Sequence, residues 1–160
     1  MGSAQLIMLI GGLLLLTLLS MTFYSSFRSK SDIEVYNEAL ITGTALGQSL
    51  IDEISARAFD AKTVSKYCTK PDSLTTPGGL GPDSGESSST QYNDVDDYKN
   101  FVRLDTLVMG VFRTRVDINY AAKMNPNQLS ATRTFAKRID VFITNDYLQD
   151  TLRMNYIITY

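Results

Sequence analysis

The chain has 160 residues, with 15 Lys and Arg against 17 Asp and Glu, a net charge of −2, no His and a single Cys. That length suits one domain, and a slightly acidic chain with scattered Lys and Arg has no overall basic field for nucleic acid, which is excluded as a partner. Without His and with one Cys, the composition also excludes intramolecular disulfides, imidazole acid–base chemistry and the usual zinc ligand sets.

From Ala4 to Phe27 no residue is charged and Leu, Ile, Met and Gly predominate; Arg28 is the first charge. At ~1.5 Å per helical residue the run spans roughly the 30 Å hydrocarbon core of a bilayer, so it is read as a retained anchor. A cleavable signal is the rival reading, but nothing basic precedes the run and no clean small-x-small site follows it before Ser25-Ser26. Ser3 is a candidate N-cap. Gly11-Gly12, each costing ~1 kcal/mol of helix propensity relative to Ala, permits either close helix packing or a local loosening. Arg28 and Lys30 favour a cytoplasmic carboxyl side by the positive-inside count, whereas the Ser/Thr-rich, Cys-poor remainder fits an exported domain.

After Asp32, a candidate N-cap with Glu34 in the first turn, Ile33, Tyr36, Leu40, Gly43, Gly47, Leu50 and Ile54 recur at spacings of three and four. Glu34, Asn37, Glu38, Gln48, Asp52, Glu53 and Arg57 lie off that seam. No Pro occurs before Pro71, which predicts one continuous helix from about Ala4 to Lys66. The amino-terminal segment is thus 1–66, apolar over 4–27 and amphipathic over 28–66. Gly43 and Gly47 form a small-xxx-small pair that either makes room for the chain's own β-sheet or admits a neighbouring subunit's helix.

From Tyr67 to Gln91 the composition shifts to Pro, Gly, Ser, Thr and Asp, which predicts a long exposed loop, either mobile or held down by a partner. Cys68, at its start, is either an idle half-buried thiol or half of an intermolecular disulfide.

The remainder reads as three consecutive strands. Phe112, Thr114, Val116, Ile118 and Tyr120 alternate with polar residues, as do Ile139, Val141 and Ile143, and then Leu152, Met154, Tyr156, Ile158 and Tyr160. Asn125-Pro126-Asn127 and Asn145-Asp146 mark the connections. An antiparallel meander with one apolar face needs a cover, and the seam of the distal helix supplies it. The fold class is therefore α+β, with 67–160 forming a loop plus a small antiparallel β domain.

Just before the strands stands Tyr92-Asn93-Asp94-Val95-Asp96-Asp97-Tyr98. A long amino-terminal helix with an apolar first half, a loop, an Asp-Val-Asp-Asp-Tyr turn and a terminal antiparallel sheet together resemble type IV pilin-like proteins and pseudopilins. Within them, the likeness is nearest to minor pilins of mannose-sensitive haemagglutinin type. The resemblance implies residence in a bacterial inner membrane before assembly, followed by packing of helices into the core of a cell-surface filament of identical or related subunits. On that expectation the candidate assembly residues are Gln5 at the amino end, Leu14 within the apolar run, and the Gly43 and Gly47 pair. The sequence departs from the family pattern in lacking a basic leader and the Glu at the fifth mature position, where Gln5, or Ile7 if cleavage follows Gly2, cannot make the usual ion pair with a neighbour's terminal amine. That departure bears on peptidase processing and amino-terminal methylation, and leaves the helix-plus-sheet architecture untouched.

Asp94, Asp96 and Asp97 offer hard oxygen ligands for calcium, the one metal the sequence invites; Asx-turn and capping roles compete with it. The segment is no EF-hand loop, because Lys99 stands where Gly is required. No other cofactor is expected. With no His and no local Ser–Lys pattern, the chain reads as a non-enzyme. Two functions follow: a filament subunit used in adhesion, motility or secretion, or a single-pass membrane-anchored binding module with an exported β domain.

Overall fold

The structure, a computed structural model, describes residues 2–160; Met1, the first residue of the expected 1–66 segment, lies outside them. The chain divides into a unit ending at Glu38 and a unit from Ala39 to Tyr160.

Helix α1 covers Ser3–Ser55. It does not continue to Lys66 as expected. Asp60 supplies a second helix start inside the presumed helix: its carboxylate accepts the Lys62 N–H at 3.1 Å, while its own N–H donates to the Thr63 hydroxyl at 3.0 Å. That capping box opens α2, Ala61–Ser65. Between the helices the backbone of Ala58 pairs with the acidic turn, donating to Asn93 O at 3.2 Å and accepting from Val95 N at 2.9 Å.

The β-sheet has four antiparallel strands in the order β1-β2-β3-β4: Val102–Leu107, Gly110–Tyr120, Ala136–Thr144 and Leu152–Thr159. The last three match the expected strands, and their alternation sends Phe112, Val116, Ile118, Ile139, Val141 and Ile143 into the core. Strand β1 is the addition. Its polarity is reversed: Val102 and Leu104 face out, and Arg103 pairs with Glu53 of α1 at 3.5 Å and with Asp105 at 3.1 Å. An edge strand with charges inward gives no half-buried signature.

The inner face of the sheet is covered by the 39–55 stretch of α1, with Ala39, Leu50, Ile51 and Ile54 buried against β2 and β3. The expected seam began earlier, at Ile33, but Ile33 belongs to the first unit and is 56% exposed. The 67–91 segment is not a loop awaiting a partner. Its Cys68, Leu74 and Leu80 are buried with Phe59 and Tyr120 in a second apolar cluster, so the chain itself holds the segment down.

Candidate functional site

The apolar run occupies the first half of α1 and is long and apolar enough to cross a bilayer. Four of its hydroxyls bond the helix backbone, Thr17 to Leu13 O at 2.5 Å, Ser20 to Leu16 O at 2.8 Å, Thr22 to Leu19 O at 2.9 Å and Ser25 to Thr22 O at 2.9 Å, which makes these positions less polar toward the outside. Leu14 is 59% exposed. Gln5 accepts the Gly2 N–H at 3.3 Å, a local first-turn contact.

Gly43 and Gly47 resolve in favour of the chain's own sheet. A Cβ on Gly43 would lie 3.4 Å from Leu152 Cδ2 and 3.5 Å from Ile143 Cγ2. On Gly47 it would come within 2.6 Å of Met154 Sδ and 3.0 Å of Ile143 Cδ1. The glycines let the helix backbone settle onto β3 and β4.

The acidic turn is built from local geometry. Asp94 Oδ1 accepts the N–H groups of Asp96 and Asp97, at 2.8 and 3.3 Å. Asp97 Oδ2 accepts those of Asn93 and Asp94, at 2.9 and 3.1 Å. Each carboxylate thus caps the backbone that carries the other, the Asx-turn role. Tyr98 packs edge-on to Tyr92 and Phe101, and its hydroxyl donates to Glu53 at 2.7 Å, tying the turn to α1. Burial, and then that Glu53 bond, push the Tyr98 phenol up to about 12.

Asp96 points elsewhere, to a cation supplied by the chain. Lys137 of β3 donates to Asp96 Oδ1 at 2.6 Å, Phe59 O at 2.6 Å and Asp60 Oδ2 at 3.1 Å, which uses all three of its protons. Its ammonium also lies 4.6 Å from the Phe59 ring centroid, and its side chain has no solvent exposure. Asp60 is bonded further by the Thr75 N–H and hydroxyl, each at 3.0 Å, and by the Tyr120 hydroxyl at 3.3 Å. Burial alone would raise the Asp60 pKa, but the Lys137 charge, with the Lys62 and Thr75 N–H groups, outweighs it and holds the carboxylate below its ordinary range. Asp94 moves the opposite way: burial, then the neighbouring Asp96 and Asp97, push its pKa up.

Among the described residues no group of three or more His, Cys, Asp or Glu is placed to hold a metal ion. The arrangement is a closed staple joining the α1–α2 connection, the acidic turn and β3. Sequence reasoning missed Lys137. The available signal was its place two residues before Ile139, on the inward phase of an apolar alternation, where a lysine demands buried partners.

No protein-family model, curated protein or solved structure matches the chain.

Proposed function

We propose that the chain is a structural subunit of a pilin-like or pseudopilin-like filament, held in a bacterial membrane by its apolar helix and polymerised through that helix into a cell-surface fibre. The observation that carries the reading is the uncovered apolar run of α1, on the same helix that further along covers the sheet. Such a surface needs lipid or copies of itself around it. A fibre built this way gives adhesion, motility or secretion a structural part, without catalysis by the chain.

The test is Leu14→Arg. A charge in the middle of an apolar bundle costs several kcal/mol, so the variant should retain a folded sheet domain and lose assembly. Electron microscopy of sheared surface material, with mass spectrometry of the recovered protein, reads the result; filaments persisting in the variant refute the reading.

A second reading, a single-pass anchored module with an exported β domain, draws support from Gly43 and Gly47. Their close approach is taken by the chain's own sheet, so that stretch offers a neighbouring helix no small-residue groove.

A further inference from the structure

The outward face of the sheet is uneven in charge. Lys99 pairs with Asp117 at 3.0 Å and Arg138 with Asp140 at 2.8 Å, which neutralises one end. At the other end, register places Arg115 opposite Phe142 and Phe142 opposite Arg153, with Arg113 one row on, opposite Thr144. The Arg115 and Arg153 guanidinium carbons lie 4.5 and 5.9 Å from the Phe142 ring centroid, in an open cleft of about 350 Å³. None of the three arginines has an ion pair among the described residues. Three like charges lining one cleft, two of them over the same ring, repel one another until an anion arrives.

Apolar side chains sit beside them. Leu104, opposite Arg113, is 63% exposed, and Val108 at the apex of the β1–β2 hairpin is 106% exposed. Cations beside exposed aliphatic groups match a lipid interface, where headgroups and acyl chains lie a few ångströms apart, better than a soluble polyanion. This end of the sheet is also the one whose Phe112, Ile143 and Leu152 cover Gly43, the earlier of the two glycines that meet the sheet and the nearer in sequence to the apolar run.

Resting on the membrane-anchored half of the reading above, we propose that this face docks on an anionic phospholipid bilayer. Arg113, Arg115 and Arg153 receive headgroup phosphates and Val108 enters the interface. Residues 28–38, helical within α1 at ~1.5 Å each, tether the 39–160 unit to the bilayer that holds the apolar run, so docking is intramolecular and needs little intrinsic affinity.

The test uses the full chain with Cys68→Ser and Val108→Cys, a polarity-sensitive fluorophore on the new thiol, and reconstitution into vesicles of phosphatidylcholine alone or mixed with phosphatidylglycerol. Acrylamide quenching reports exposure of the label. Shielding should arise only with phosphatidylglycerol and weaken with salt. Each arginine near such a surface contributes about a fivefold factor, so Arg113→Gln, Arg115→Gln and Arg153→Gln together should lower the docked-to-undocked ratio on the order of 100-fold. Equal shielding in both vesicle types, or an unaffected triple variant, overturns the proposal. Retention on heparin that the triple variant loses, with the label exposed in both vesicles, reassigns the face to a soluble polyanion. Flotation separates the readings: a chain that does not float with neutral vesicles sinks the anchor and the docking together, whereas one that floats with its label exposed throughout sinks the docking alone.

Discussion

Lys137 shows how far a single side chain can bind distant parts of this chain. Its ammonium is buried against Asp60 and Asp96, so Lys137→Met strands two buried carboxylates, and the expected loss is about 3–5 kcal/mol in urea unfolding. Adding Asp60→Asn and Asp96→Asn should recover part of that loss; no recovery would mean that the lysine acts by packing alone. Asp94 makes a prediction of opposite electrostatic sense. Because folding raises its pKa, its contribution is full below the unfolded-state value and disappears as pH rises through the folded one. Asp94→Asn keeps the acceptor for the Asp96 and Asp97 N–H groups and imitates the protonated acid. The variant should thus match wild type near pH 4 and exceed it at mildly alkaline pH. Unfolding midpoints measured across that range check this, and a variant weaker at every pH would show that the charge itself is needed. Asp60, with its pKa lowered, contributes above the unfolded-state value and loses that contribution as pH falls through the folded one.

At the scale of elements, the contact between α1 and the sheet treats its two glycines differently. Gly43 leaves space for a methyl at ordinary contact distance, so Gly43→Ala should keep the packing and raise stability by ~0.5–1 kcal/mol through helix propensity. Gly47 does not, because Met154 and Ile143 already occupy that space. Gly47→Leu should cost ~1–3 kcal/mol of overpacking, read as an earlier melting transition. If both variants melt like wild type, the helix does not rest on β3 and β4 at this point. The strands show why some elements are legible in sequence and others are not. Strands β2, β3 and β4 each carry apolar residues in one phase, whereas β1 turns its aliphatic residues outward and its charges toward the helix, so period-two reading finds no strand there.

For the whole molecule, both apolar clusters lie within 39–160, and the 67–91 segment contributes to the second. A chain starting at Asp32 should therefore be soluble, monomeric and cooperative in unfolding, as circular dichroism with analytical ultracentrifugation would show. A broad transition would mean that the sheet domain depends on the apolar half of α1.

Whatever depends on neighbours a few residues away was legible before any folding was known. An uncharged run fixes a helix able to cross a bilayer, a spacing of three and four fixes the face from Leu40 to Ile54, and alternation fixes the inward phase of three strands. The mutual capping of Asp94 and Asp97 is equally local. Tertiary structure alone decided the rest, because pairing partners are set by register and packing rather than by proximity in the chain. Only the fold brings Lys137 to Asp60 and Asp96, presses Met154 on Gly47, and stops α1 where Ala58 can pair with the acidic turn. Likewise, Arg113, Arg115 and Arg153 are scattered cations in sequence. They become one patch because β3 runs between their strands and sets Phe142 among them.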